Sequence, residues 1–281
     1  MKKFTVMMLI ALLTLSTLAV PALAEDQGLL GRLTKLNVDE DTLNAEIAYF
    51  FDYMPFTGYK YFDTLDSMVM ALQSGSITGM AMDEFTKDYL ISRTDGFAEY
   101  INPVETAYLA CAMLLREEDA ELCDRITGAI RDMQADGTLD ALKKQYIDDV
   151  IAGEEPEAVM PEQFEGAQTL KVALTGDRPP MDYFSESGEP IGFNTAIVSE
   201  VGRRLGLNVE FISVDTGARA VALASGDSDV VFWSENGNFD NREGGDVEDQ
   251  PEGTVITEPY LVGQLTYVVL ATSPLVETGE K

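Results

Sequence analysis

An α/β fold with a doubly wound sheet is what this sequence predicts, on three observations. The stretch Thr169–Trp233 reads strand, loop, helix, strand, helix, strand, an order that makes two βαβ units in a row. Its helices follow the 3.6-residue apolar period and stop at glycines, whereas its strands are short apolar runs. Thr64–Ser92 adds a capped amphipathic helix, a short strand and another helix. With 281 residues, 46% of them apolar, the chain can bury a sizeable core, and length alone suggests about two domains of ~150 residues each.

Taken in order, residues 1–24 read as a signal peptide. Lys2 and Lys3 precede an apolar run from Phe4 to Val20, and Ala22-Leu23-Ala24 is a small-residue cleavage site. The alternative is an anchor that stays in place, but Glu25-Asp26 directly after Ala24 favours cleavage. With no cysteine at that point, a lipid-anchored form is not expected. No second run reaches the roughly 20 apolar residues of a spanning helix. A secreted or periplasmic protein is the expectation.

The next segment, residues 25–105, is a lobe of its own in this reading. Asn37–Phe51 looks helical, with acidic residues in its first turn and Leu43, Ile47 and Phe51 four apart. Tyr59–Phe62 is read as a short strand. Thr64 caps a helix whose Leu65, Met68, Val69 and Leu72 share one stripe, ending at Gly75. Ile77–Met82 is a strand, and Asp83 opens the helix Glu84–Ser92.

Residues 106–150 begin with a strand, Tyr108–Leu115, and continue into a helix with Leu122, Ile126, Ile130 and Met133 on one side. Asp136-Gly137 turns the chain into a last helix carrying Leu139, Leu142 and Tyr146. Residues 151–168 are acidic, hold two prolines, lack periodicity and read as a linker. The final domain, residues 169–281, starts with Leu170, Val172 and Leu174 alternating along a strand. A helix with Ile197, Val198, Val201 and Leu205 stops at Gly206. Val209–Val214 is apolar on both faces and is expected to be covered by helices on each side. The short helix Ala218–Ala224 ends at Gly226, and Asp229–Trp233 is a third strand.

The formal net charge is −30, and losing residues 1–24 removes two lysines and no acid. Nucleic acid is excluded as a partner, because phosphate binding needs a basic surface. The acidity reads first as a solvated surface that maintains solubility, with attraction of cations as the alternative. Histidine is absent, which removes Ser-His-Asp and Cys-His catalysis, His-based zinc sites and His switches. Cys111 is placed on a strand and Cys123 on the following helix. Sheet and helix layers lie ~10 Å apart, beyond the ~7 Å Cα limit for a bridge, so two buried thiols are expected over a disulfide.

Several motifs resemble one family in fixed order and spacing. LKVALTGDRPPMDYF, GEPIGFNTAIVSEVGRRLGLNVEFISV, ALASGDSDVVFW and TEPYLVGQLTYVVL resemble lobe 1 of the family 3, amino-acid type periplasmic solute-binding proteins of ABC transporters. FDTLDSMVMALQSGSITGMAMDEFTKDYLISR resembles lobe 2 of the same family. AYLACAMLLREEDAELCDRITGAIRDMQADGTLDALKKQYI resembles its C-terminal return into lobe 1. The resemblance implies a type II periplasmic-binding-protein-like fold of two lobes. It also implies a small polar solute, an amino acid by family type, as ligand and an ABC permease as membrane partner.

The segments stand in an unusual order. In the family lobe 1 begins the chain, lobe 2 is inserted, and the chain returns to lobe 1; here the lobe-2-like piece and the return come first. A circular permutation joined through residues 151–168 gives this order, and termini lying close together make such a join cheap. The rival is two truncated modules completed by a second copy in a swapped homo-oligomer. The family's strand and Gly-Thr loop at the start of lobe 2 have no counterpart in residues 25–62.

An amino-acid pocket needs an anion for the ammonium group, a cation for the carboxylate and apolar walls. By resemblance, Asp83 stands where the family binds ammonium; its other role is an ordinary helix N-cap. Met181 and Tyr183 follow Pro179-Pro180, where the family places wall aromatics, and core packing is the alternative. Trp233 and Ser234 end a parallel strand, the end at which open α/β sheets bind ligands, although Trp233 reads equally as core. The family's Thr/Arg clamp is missing, and Arg242 is the candidate cation, with a solvated loop arginine as the alternative. Asp240, Glu243, Asp246, Glu248 and Asp249 do not have EF-hand spacing, so neither a metal nor a cofactor is expected. A dehydratase-type enzyme on this scaffold would need a cleft carboxyl of raised pKa. Nothing in the sequence points to one, and a non-catalytic binder is expected. A sensing or degenerate module without a transporter is the second reading.

Overall fold

The computed structural model describes residues 60–101, 108–185, 187–237 and 250–276. These lie in one compact unit, Phe56–Lys281. The signal-peptide segment, the helix at Asn37–Phe51, and Arg242 with its acidic neighbours fall outside the described residues.

Helix α1 (Leu65–Gln73) begins at Thr64, whose hydroxyl accepts from Ser67 N–H, as the sequence requires of a cap. The preceding residues 60–62 form no strand, against expectation, and Tyr61 is almost fully exposed. Strand β1 (Met80–Asp83) and helix α2 (Glu84–Arg93) meet at Asp83. Strand β2 (Phe97–Tyr100) follows, a four-residue element the apolar pattern did not reveal. Strand β3 (Tyr108–Arg116) is buried along most of its length, and helix α3 (Ala120–Asp136) buries Cys123, Ile126, Ile130 and Met133. Gly137, at φ 81°, turns the chain into α4 (Thr138–Lys143), which runs on through a π-helical turn into α5 (Asp149–Ile151).

The linker has no regular element from residue 154 to 168, yet it lies against the body: Val159 is buried and its N–H donates to Pro190 O. Strand β4 (Thr169–Leu174) leads to three short strands, β5 (Asp177–Arg178), β6 (Asp182–Phe184) and β7 (Pro190–Ile191), paired as a small antiparallel sheet. Helix α6 (Phe193–Leu205) starts at Gly192, where φ is 119° and an added Cβ would lie 2.4 Å from Met181 O. Only glycine permits that approach, which holds the 179–182 loop against the helix start. Strand β8 (Asn208–Ser213), helix α7 (Arg219–Ser225), strand β9 (Val230–Gly237), strand β10 (Thr254–Ile256) and strand β11 (Leu261–Leu270) complete the described chain.

Among the described residues the main sheet runs β1-β11-β3-β9-β4-β8, with β10 on β3 and β2 on β11. Only β8, β4 and β9 are mutually parallel; β3 is antiparallel to β9 and to β11. The doubly wound expectation therefore holds for the βαβαβ stretch alone, within a mixed α/β sheet. Strand β8 is the edge strand and exposes Glu210 and Ser213, which corrects the reading of Val209–Val214 as covered on both faces. An apolar run is expected of a central strand, and here the edge strand carries one as well.

Strand β11 joins two halves. Its residues 261–264 pair with β3, whereas residues 265–268 pair with β1 and 267–270 with β2. The large half has its main core between the sheet and helices α3, α4 and α6, including Met113, Ile126, Ile130, Val172, Phe193 and Ile197. Leu114, Ala173, Leu223 and Val231 form a further cluster with α7. The small half has its own core: Leu65, Leu72, Met80, Met82, Leu90, Phe97 and Val268. Residues from both parts of the sequence thus share one sheet, with β3 inserted between β9 and β11. Within the described residues the chain passes from one half to the other along β11, and β2 and β3 each pair antiparallel with it, β2 in the small half and β3 in the large.

Candidate ligand cleft between the two halves

A cavity of ≈470 Å³ lies where the halves meet. From the small half, Leu65, Met68, Met82, Asp83 and Thr86 line it; from the large half, Leu109, Asp177, Arg178, Arg219, Trp233 and Ser234 do so. Except for Leu109, which is near the start of the antiparallel strand β3, the large-half residues come from loops and strand ends after β4, β8 and β9. They lie beyond or toward the carboxyl ends of the parallel strands, where an open sheet presents its crevice.

Asp83 is held in three ways. Its Oδ1 accepts from Thr86 N–H at 2.8 Å, and Oδ2 accepts from the Thr86 hydroxyl at 2.9 Å and from Arg178 at 3.1 Å. It is 4% exposed. The cap reading of Asp83 is thus realised, with an ion pair to the other half added. Arg178 keeps its charge. Burial disfavours the cation, but the Asp83 and Asp182 carboxylates outweigh that and raise its pKa. Next to it, Asp177 accepts Leu65 N–H at 3.1 Å through Oδ2. Two bonds, from Asp83 and from Asp177, therefore tie the halves across the cleft.

Arg219 has a different setting. Its Nε donates to Thr216 O and one terminal nitrogen to Phe232 O, and the guanidinium carbon lies 5.6 Å from the Trp233 ring centroid. Burial, followed by repulsion from Arg178, lowers its pKa. Two buried polar atoms of lining residues, Asp177 Oδ1 and Trp233 Nε1, have no hydrogen-bond partner among the described residues. Such groups are rare in native interiors.

The structure brings Asp83, Trp233 and Ser234 together at this cavity. Met181 and Tyr183 are corrected as wall residues. Met181 is 1% exposed and packs in the large core, and neither residue lines the cavity. The close approach of Gly192 to Met181 O holds this turn, and Met181 with it, against the core. Tyr183 is half-buried, and burial, followed by Tyr89 and Glu155, pushes its hydroxyl up to about 12. Asp177, Arg178 and Arg219 were not singled out from the sequence. The rule that pointed to Trp233, the carboxyl ends of parallel strands, applies equally to the turns after β4 and β8 and would have found them.

Cys111 and Cys123 are both buried and unbridged. Burial, with Asp83 next, pushes the Cys111 thiol up to about 12 against the opposing effects of Arg178 and a Ser234 hydrogen bond, so it is an inert thiol beneath the cleft. Asp182 is the one buried carboxyl with a raised pKa among the described residues, the cause being burial. It accepts from Thr175 and Asn194, and Asn194 in turn accepts from Tyr260; it does not line the cavity. No group of three or more metal-ligating side chains occurs among the described residues, and no described helix is long and apolar enough to cross a membrane.

Residues 170–242 match the family model of the bacterial extracellular solute-binding proteins, family 3. The matched stretch contains every large-half cavity residue named above except Leu109. Over these residues the resemblance read from the motifs is shown, and the family is one of extracellular solute binders rather than enzymes. No curated protein matches the chain. The chain is similar to the GluR0 ligand-binding core in complex with L-glutamate, with TM-score 0.36 and 10% identity over 84% of this chain and 78% of that one. It is similar to CbnR, a LysR family transcriptional regulator, with TM-score 0.38 and 10% identity over 84% of this chain and 62% of that one. It is also similar to the periplasmic aliphatic sulphonate binding protein SsuA from Escherichia coli, with TM-score 0.36 and 12% identity over 85% and 63%. The chain spans less than two thirds of the last two, and at these scores the likenesses are weak.

Proposed function

We propose that the protein is an extracytoplasmic solute-binding protein that captures an amino acid or similar small polar solute in this cleft and delivers it to an ABC importer. The observation that carries the reading is the cavity itself: it sits between two separate cores and is lined by charges of both signs beside an indole ring. A cleft of several hundred Å³ with a few convergent polar groups is the usual form of a small-molecule site. Strand β11, which runs from one half into the other, would act in the hinge, and closure on the ligand would present the liganded form to a permease.

The lobe order supports a circular permutation, with residues 25–105 and 106–150 placed ahead of 169–281 and joined through 151–168. Strand β3, from the first part, fills a central place in the sheet of the second, as a permuted single chain requires. A swapped oligomer is the alternative.

A second reading is a sensing or degenerate module with no transporter, favoured by the Asp83–Arg178 pair, which uses up two cleft charges internally. Permease and ATPase genes beside its own would separate the two.

Binding is tested by thermal shift of the purified protein against the common amino acids. A dose-dependent rise in melting temperature is expected with at least one. No rise with any of them overturns amino-acid capture.

A further inference from the structure

Resting on that reading, we propose that Asp177, not Asp83, receives the ligand's ammonium group, and that Arg219 with the Trp233 indole N–H receives its carboxylate. The assignment follows from which polar groups of the cleft are already used. A carboxylate has about four acceptor sites. Asp83 accepts three hydrogen bonds, one of them from a guanidinium, and both of its oxygens are engaged inside the protein. Asp83 is 4% exposed and already neutralised by Arg178, so an ammonium there would compete with the ion pair that joins the halves. Asp177 accepts one bond on Oδ2, and its Oδ1 is buried with no partner among the described residues.

The donors divide in the same way. Arg178 is committed to Asp83. Arg219 has five N–H groups, gives two nitrogens to backbone carbonyls, and forms no ion pair among the described residues. The indole N–H of Trp233 can only donate, and it too is buried without a partner while its ring lies beside the Arg219 guanidinium. A buried carboxylate oxygen and a cation outside any described ion pair, with an adjacent buried donor, thus line a single cavity; Asp63 also lines it, but it is exposed to water. Asp177 and Arg219 are close enough for the carboxylate to act on the guanidinium. A small zwitterion satisfies all three groups at once, whereas a simple amine or a simple carboxylate leaves a buried group unmatched.

The test uses the only tryptophan in the chain, which lines the cavity and so reports occupancy by its own fluorescence. The wild-type protein is titrated with the twenty common amino acids. The best binder is then compared with its decarboxylated amine and its deaminated acid. Binding of the amino acid, with both half-ligands at least ~10-fold weaker, is expected from the loss of one charged hydrogen-bonding group. Asp177→Asn and Arg219→Gln are expected to weaken the amino acid by about 10- to 100-fold. Asp177→Asn keeps an acceptor for Leu65 N–H, and the half-ligand comparison needs no variant, so a poorly folding Arg219→Gln does not remove the test. Trp233→Phe, followed by calorimetry, is expected to weaken binding several-fold. If the amino acid binds but the deaminated acid binds as tightly, and Asp177→Asn changes nothing, the ammonium assignment is overturned. If the amine binds as tightly and Arg219→Gln changes nothing, the carboxylate assignment falls. If no amino acid binds the wild type, the proposed function fails and takes this assignment with it.

Discussion

The two halves of the sheet are built unequally. The large half rests on a parallel centre with helices on one face and α7 on the other, and its main core joins residues from 85 to 260 in one cluster. The small half is helices α1 and α2 with two short strands on the far end of β11, and a core cluster of seven buried residues. Its position depends on β11, on bonds made across the cleft, and on α2, whose Phe85 packs in the large core and whose Arg93 donates to Val150 O. The difference teaches that one side of the cleft is a fixed platform and the other an attached jaw. It also explains why Asp83 is bonded within the protein: it anchors the jaw.

The sharpest way to break that comparison is to damage the platform. Ile130 is fully buried in the large core, between α3 and its neighbours. Ile130→Ala removes apolar burial and leaves a cavity, at a cost of about 2–5 kcal/mol. The loss is expected to appear in denaturant unfolding as a lower midpoint for the whole molecule, jaw included, because the jaw has no independent support. A variant in which the small half survived while the large half melted would refute the dependence.

The next effect is on the jaw alone. Asp83→Ala removes the α2 cap and the partner of Arg178 together, each a bond to a nearly buried carboxylate. Losing a cap costs ~1 kcal/mol, and losing a charged hydrogen bond ~1.5–3 kcal/mol, so about 2–4 kcal/mol in all is expected. Hydrogen exchange should speed up in α1, β1 and α2 while β4 and β9 keep their protection. Uniform loss of protection over both halves would show that the jaw is not a separate unit.

The same inequality explains what the sequence disclosed. The platform's helices and its strands β4 and β9 were legible because long periodic runs such as Ile197–Leu205 and terminal glycines such as Gly206 fix them locally. Strands β2, β5, β6, β7 and β10 are two to four residues long, too short for a period to register, and β2 and β10 are held by partners remote in sequence. For the same reason the site was only half legible. Asp83 and Trp233 were visible from their places at strand ends. Arg178 lies two residues after a loop glycine and Arg219 begins a seven-residue helix; no local period marks either, and only their places after β4 and β8 point to the cavity. For Met181 the family resemblance points to a wall residue, with core packing as the alternative; the core role is the one it has, because Gly192 draws that loop inward.

The smallest expected effect is a pH dependence on the platform's surface. Asp136 ends α3; its carboxylate accepts Thr138 N–H at 3.0 Å, which holds the turn into α4, and a bond from Arg204 of α6 at 2.8 Å. The Thr138 side chain and N–H, then Arg204, hold its pKa down to about 2 against an ordinary value of 3.8. A carboxyl whose folded pKa is depressed stabilises the fold above its unfolded pKa, and that contribution is lost as pH falls through the folded value. Between about pH 4 and pH 2, the wild type should therefore lose stability more steeply than Asp136→Asn, with the two curves parallel above pH 5. Denaturant titrations at stepped pH read the slope directly. The group is exposed and screened, so the difference should shrink in high salt. Equal slopes for both proteins would mean that the α3–α6 junction is held by packing alone.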